Sequence, residues 1–309
     1  MIWLNTLITL LLPFVPKSLV KFIARHYIAG ETLEQAVVKT KQLNRQKIQV
    51  TLDLLGEDPV SKAHCTQAVR VYEKTIEAIH VNGLGSGISL KPSHMGLKLD
   101  KAFCLENIRH LVTLADKHQM FVRIDMEDAS LCQETLDLFS TLNEQFSNVG
   151  IVVQAYLRRS IDDVNDLISQ GANIRLCKGA YYWENRATAY KDKVIVNESY
   201  VYLLEKLLSH GCFVGIATHD EQLVFQALKL IDKLDLPGGS YEFQMLYGVE
   251  EQLRKILIDS GHPVRVYLPF GKQWFAYSVR RLKENPKMVG YILANAGNLL
   301  KDAFKKKKF

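Results

Sequence analysis

From residue 47 onward the chain alternates between short β-rich runs and helical patterns, and it does so eight times. The runs are IQVTLDLLG, GISLKPS, FVRIDME, NVGIVVQAY, NIRLCKGAY, CFVGIATHD, YEFQMLYG and VRVYLPFG. Between them lie amphipathic segments such as LENIRHLVTLADKHQ, with apolar residues at helical spacing. Strands that alternate with helices imply a parallel sheet, and eight such units suit a closed (β/α)8 barrel. No long Pro/Gly/Ser linker interrupts the series, so residues 47–309 read as one α/β barrel with C-terminal helices and a basic tail. Residues 1–46 precede the first strand and read as an N-terminal helical arm. A doubly wound sheet is the rival architecture. The only glycine cluster, NGLGSGISL, comes before a strand, whereas a dinucleotide fingerprint follows a strand and opens a helix. The barrel is the better fit.

Composition narrows the function classes. The formal charge of +6 includes four lysines of the terminal FKKKKF, and the body without them is close to neutral. That argues against a nucleic-acid surface. Five scattered cysteines, odd in number and without a C-x-x-C, suggest neither a disulfide framework nor a zinc site, and fit a reducing cytoplasm. The opening MIWLNTLITLLLPFVP is apolar but interrupted by Pro13 and Pro16, and it lacks a basic leader and a cleavage site. It reads as an arm packed on the body, with a shallow membrane contact as the alternative. The sequon at 197–199 carries no meaning in a cytosolic chain.

In a barrel of this kind the C-terminal strand ends face the active site. In order, the runs from the second onward end in Lys91, Asp125 with Glu127, Gln154, Arg175 with Lys178, Thr218 with His219, Gln244, and Arg265 with Tyr267. A single polar residue at a rim is ordinary, but seven consecutive strands supplying one make a constellation. Lys91, Arg175, Lys178 and Arg265 make the mouth cationic, which suits an anionic ligand such as a carboxylate or phosphate. Gly179 and Ala180 follow a strand end beside Lys178 and let backbone groups approach a flat ligand. Tyr181 and Trp183 are more often packing residues than stacking platforms.

After the eighth strand, AYSVRRLKENP places Tyr277, Arg280, Arg281 and Glu284 at helical spacing on one face. Two adjacent guanidinium groups can converge on one carboxylate, and Glu284 can orient them by an ion pair. A solvent-facing helix with an Arg–Glu pair is the bland alternative. A metal-dependent barrel hydrolase could group His94, Asp125, Glu127, His219 and Asp220 as ligands, but no H-x-H ends a strand and the cations would oppose a metal. No metal is expected. A non-catalytic carboxylate-binding barrel should have lost some strand-end polar residues, and none is missing.

The motifs SLKPS, RIDME, VVQAY, RLCKGAYYW, ATH and RVYLPFG, followed by AYSVRRLKE, resemble the proline dehydrogenase family of the short, single-function bacterial type over roughly residues 45 to 290. The resemblance implies a distorted (β/α)8 TIM-type barrel, with the final helix over its mouth and FAD held non-covalently at the C-terminal strand ends. It implies oxidation of L-proline to Δ1-pyrroline-5-carboxylate by hydride transfer from C5 to flavin N5, the first step of proline degradation to glutamate. Electrons would pass to a membrane quinone, and the apolar N-terminus and lysine tail could then make a peripheral membrane contact from the cytoplasm. Hydroxyproline or another cyclic imino acid is the alternative substrate.

By motif, the resemblance assigns Arg280 and Arg281 to the substrate carboxylate and Glu284 to their support. Lys91, Tyr267 and Tyr277 complete the proline pocket, and Asp125 corresponds to the active-site aspartate. Arg175 would lie near flavin N5, raising the flavin potential. Met126, Gln154, Lys178, Gly179, Ala180, Thr218 and His219 correspond to FAD contacts. There are two departures. Cys177 replaces a larger aliphatic residue and should act as a small hydrophobe, and Pro92 removes a backbone donor at a strand end.

Overall fold

A computed structural model describes residues 25–56, 59–179, 184–275 and 277–279. Helix α1 (Leu33–Asn44) precedes the barrel. Then follow β1 (Gln49–Leu54), α2 (Lys62–Val81), β2 (Ser86–Leu90), α3 (Lys101–Asp116), β3 (Val122–Ile124), α4 (Cys132–Asn143), β4 (Val149–Gln154) and α5 (Ser160–Ser169). The second half comprises β5 (Ile174–Cys177), α6 (Lys193–Ser209), β6 (Val214–Ala217), α7 (Glu221–Lys233), β7 (Tyr241–Leu246), α8 (Glu251–Asp259) and β8 (Val264–Phe270). All eight strands pair in parallel in sequence order, and β1 closes on β8. The TIM-type barrel expected from the alternation is therefore present.

Local chemistry starts the helices where it does. Thr32 and Gln35 form a capping box at α1, and Ser61, Asp100, Asp192 and Asp220 accept backbone N–H groups at the starts of α2, α3, α6 and α7. One face of each helix is apolar and packs on the sheet. On α2 that face is Cys65, Ala68, Val69, Tyr72, Ile76 and Ile79, all buried. Full burial of such an aliphatic side chain contributes about 1.5–3 kcal/mol.

The strands alternate outward and inward with period two. Outward residues such as Leu52, Ile88, Ile124, Ile151, Leu176, Ile216, Phe243 and Val266 are buried under the helices. The inward residues are unusual for this fold, whose lumen is normally filled by branched aliphatics. Here Asp53, Ser89, Arg123, Arg175, Glu242, Gln244, Arg265 and Tyr267 hydrogen-bond to one another or to neighbouring strands. Small residues make room for them. A Cβ on Gly150 would meet the Arg123 guanidinium, and one on Gly215 would meet the Gln244 amide. Buried charge is tolerable only when paired, and the pairing begins at the barrel floor. Arg123 donates to the Ile151 and Asn173 carbonyls, and Arg265 donates to Glu242 at 2.6 Å and to the Val50 carbonyl at 3.0 Å.

The strands stop sooner than the β-rich runs suggest. Lys91, Asp125, Lys178, Thr218 and His219 lie just beyond their ladders. Only single bonds such as Asp125 N to the Leu90 carbonyl persist there. The backbone splays at the mouth and leaves side chains to make the contacts. Residues 26–30 pack at the same end. Ala29 donates to the Pro269 carbonyl, Gly271 donates to the Gly30 carbonyl, and Tyr27 and Ile28 are buried. Helical turns begin again at residue 274. The residues after 279, the lysine tail among them, and the apolar N-terminal stretch lie outside the described residues.

Candidate active site

Asp125 sits at the mouth, with donors from β2, β5 and β8 around it. Its Oδ1 accepts from Ser89 Oγ at 2.7 Å and from Arg175 Nη1 at 2.8 Å. Its Oδ2 accepts from the Tyr267 hydroxyl at 2.9 Å and lies 3.6 Å from Lys91 Nζ. Lys91 in turn donates to Asp53 Oδ1 at 2.8 Å and to the Tyr267 oxygen at 3.3 Å. The Arg175 guanidinium lies 5.2 Å from the centre of the Tyr267 ring. Arg175 also donates through Nε to Gln244 Oε1. Three residues named from the sequence, Lys91, Arg175 and Tyr267, thus converge on a fourth, Asp125.

The electrostatics hold Lys91 and Tyr267 in their protonated forms. Burial alone would lower the Lys91 ammonium, but Asp53 and Asp125 outweigh it and raise its pKa, so it stays a cation. Burial, reinforced by Asp125 and Asp53, pushes the Tyr267 phenol well up, so it remains a donor. Burial raises the Asp53 carboxyl against the pull of Lys91. Across the lumen and mouth Lys91, Arg123, Arg175 and Arg265 are matched by the carboxyl groups Asp53, Asp125, Glu127 and Glu242. Arg265, expected at the mouth, is instead taken up by Glu242 at the floor, so Lys91 and Arg175 are the cations gathered around Asp125.

A second cluster lies beyond β4, β5 and β6. Lys178 Nζ donates to Asp220 Oδ2 at 2.9 Å and to Asn197 Oδ1 at 3.4 Å. Since Asp220 also caps α7 through Oδ1, the helix start fixes the lysine's anchor. The Thr218 hydroxyl accepts from the Asp220 N–H at 3.1 Å, and His219 Nε2 accepts from the Leu246 N–H at 2.7 Å. Gly179 has φ +97°, and the ring of Tyr156 fills the space a Cβ would need. Gln154 donates to the Met126 carbonyl at 3.4 Å, and its buried Oε1 finds no partner among the described residues. Met126 is buried beside them.

The residues of the metal alternative are engaged separately. Glu127 accepts from Ser93 N and Oγ, Asp220 holds Lys178, and His219 accepts a backbone proton. Among the described residues no group of three or more His, Cys, Asp or Glu could hold a metal ion. Burial pushes the Cys177 thiol up to about 11, so it stays protonated. Tyr277 is buried and close enough to Tyr267 and Tyr27 to influence both phenols electrostatically. Ala180, Tyr181, Trp183, Arg280, Arg281 and Glu284 lie outside the described residues.

Sequence reading missed Asp53 and Ser89 as members of the cluster, and Glu242 beneath it. The available signal was parity. Each lies two residues from a recognised polar position or inside an otherwise apolar run, as Ser89 does before Lys91 and Glu242 before Gln244.

Fold and site together define a TIM-type barrel enzyme whose charged, hydrogen-bonded mouth is built at the C-terminal strand ends. A family model described as Proline dehydrogenase matches residues 36–292. Proline dehydrogenase 1 of Bacillus subtilis (strain 168) is 36% identical over 283 residues, 92% of this chain and 91% of that protein. Proline dehydrogenase of Deinococcus radiodurans is 37% identical over 276 residues, 88% of this chain and 89% of that protein. Among solved structures, proline utilization A (PutA) from Bdellovibrio bacteriovorus, inactivated by N-propargylglycine, superposes with TM-score 0.79 at 27% identity. It covers 86% of this chain, which spans 33% of that one. The chain belongs to the proline dehydrogenase family and is an oxidoreductase.

Proposed function

We propose that the chain oxidises L-proline to Δ1-pyrroline-5-carboxylate with FAD held at the strand ends, the first step of proline degradation. The observation that carries this reading is the Asp125 cluster, a fixed arrangement of Lys91, Arg175 and Tyr267 around one central carboxylate at the barrel mouth. Family membership supplies the substrate and the redox class.

The residues present fit a flavin. The partnerless Gln154 Oε1 is a buried acceptor beside Met126, close to the strand ends that hold Lys178 and Thr218. In this reading Met126, Gln154, Lys178, Gly179, Ala180, Thr218 and His219 hold the FAD. When bound, it supplies the hydride acceptor. The chain's own residues bind and orient. Arg280 and Arg281 grip the proline carboxylate, supported by Glu284. Lys91, Tyr267 and Tyr277 wall the ring, so that one carbon is presented to the acceptor. Arg175, held by Asp125, keeps a positive charge where negative charge gathers on reduction.

Electrons passing to a membrane quinone would require contact with the bilayer surface, for which the apolar N-terminal stretch and the lysine tail are the proposed elements. No helix among the described residues is long and apolar enough to cross a membrane. Removing both ends should lower the vesicle-bound fraction, and an unchanged fraction would refute that contact. For the central reading, purified protein should be yellow, and proline should bleach it without oxygen. Protein that stays colourless after reconstitution with excess FAD and desalting would refute it.

A further inference from the structure

We infer that Gln244 is a positioning residue that aims Arg175, with Glu242 as its anchor in the barrel floor. The inference rests on the proline and FAD reading of the mouth and extends it into the lumen below.

Both residues project inward from β7 and are buried, at 5% and 7% exposure, with their amide and carboxyl groups engaged by other side chains. Gln244 Oε1 accepts from Arg175 Nε, and its Nε2 donates to Glu242 Oε1 at 2.7 Å. Only one amide orientation satisfies both neighbours, since a guanidinium can only donate and a carboxylate can only accept. The same Glu242 oxygen accepts from Arg265, which is tied to the β1 backbone at Val50. A continuous hydrogen-bonded chain therefore runs from the floor through Arg265, Glu242, Gln244 and Arg175 to Asp125. Gly215, paired with Glu242 in the sheet, leaves the space that the Gln244 amide occupies.

Arg175 is thereby fixed at two points, Nη1 on Asp125 and Nε on Gln244, and a planar guanidinium held at two points has a defined direction. The choice of amide over carboxylate is the informative detail. A second carboxylate touching Arg175 would cancel most of the field that it presents to the mouth. Glutamine holds the arginine without neutralising it. A residue that merely filled space would need neither bond.

The test uses the full-length holoenzyme with two variants. Gln244→Met removes the bond and keeps the charge, whereas Gln244→Glu keeps the bond and adds a charge. Flavin content should be preserved in both. In Gln244→Met the equilibrium constant for two-electron flavin reduction should fall about tenfold, a negative shift of about 30 mV, and the shift should be larger in Gln244→Glu. The kcat should fall with little change in KM for proline, because the Gln244 amide is engaged by Arg175 and Glu242. A readout independent of flavin is hydrogen exchange at Arg175 Nε–H, followed by NMR in the flavin-free chain and assigned through Arg175→Lys. It should be protected in the wild type and exposed in Gln244→Met. Wild-type potential in both variants, or equal protection of Nε–H in wild type and Gln244→Met, would overturn the inference. A wild type that binds no flavin would instead refute the reading of the mouth, while the exchange measurement still decides whether Gln244 aims Arg175.

Discussion

Lys91 and Asp53 form a 2.8 Å ion pair in which the carboxylate side chain is 1% exposed and the ammonium 21%. The pair leaves the lysine divided between Asp53 on one side and Asp125 and Tyr267 on the other. Asp53→Asn should let Lys91 collapse onto Asp125 and disturb the bond from Tyr267. Breaking a buried pair by removing one partner costs about 3 kcal/mol, so urea denaturation should show a loss of that order. The kcat/KM for proline should fall with it, and unchanged stability and turnover would show that the pair is dispensable.

His94 gives the stability a pH dependence of definite sign. Burial, with a contribution from Lys91, lowers its pKa to about 4, so the folded protein holds it neutral where the unfolded chain would begin to protonate. The unfolded state therefore binds more protons between the two values. Stability is present above the unfolded pKa of about 6.5 and drains away as pH falls towards 4, by up to about 3 kcal/mol. Denaturation midpoints measured at pH 7 and pH 5 should converge in His94→Leu relative to wild type. An identical pH dependence in the variant would contradict the assignment.

Gly150 is required by space. A Cβ there would lie 2.5 Å from Arg123 Nη1 and 2.6 Å from the Asn173 carbonyl oxygen, and the backbone atom cannot swing aside. Gly150→Ala should lose about 1–3 kcal/mol through overpacking. Gly238→Ala, where a Cβ meets nothing within 4 Å, should stay within about 0.5 kcal/mol of wild type. Thermal melts of the pair make the comparison.

Lys178 offers a separable test of flavin retention. Asp220 anchors it, and its carboxyl is held below the ordinary range chiefly by the Lys178 hydrogen bond and charge, which outweigh the opposing effect of burial. Asp220→Asn keeps a competent helix cap but loosens the lysine. The FAD dissociation constant should rise about tenfold, or about 1.4 kcal/mol, with the melting temperature little changed. Fluorescence titration of the apoprotein would measure it.

What the sequence made legible follows from what is periodic. Eight apolar runs and their intervening amphipathic segments identified the strands, because outward positions must be apolar to meet the helices. Lys91, Asp125, Arg175 and Tyr267 stood out because charge at a strand end has no packing role. Asp53 and Glu242 were harder to see. Each is a lone acid inside an apolar run, and only a partner from another strand explains it, Lys91 in one case and Arg265 in the other. Strand ends were overestimated because residues that serve the mouth, such as Thr218 and Lys178, share their run with residues that serve the ladder. The arginine pair at 280 and 281 is legible in sequence alone, since the described residues stop at 279.

The ionic lumen bears on how such a barrel can come together. Lys91 meets Tyr267 across 176 residues of chain, and Arg265 reaches Val50 across 215. An aliphatic lumen would let a half-barrel collapse and wait for its complement. Here each half pairs its own acids, Asp53 and Asp125 with Lys91 and Glu242 with Arg265, but Asp125 completes its shell only when Arg175 and Tyr267 arrive from the other half. Closure at the seam between first and last strands thus has to coincide with completion of that buried polar cluster, and the molecule should assemble as one late, cooperative event rather than as two halves that dock.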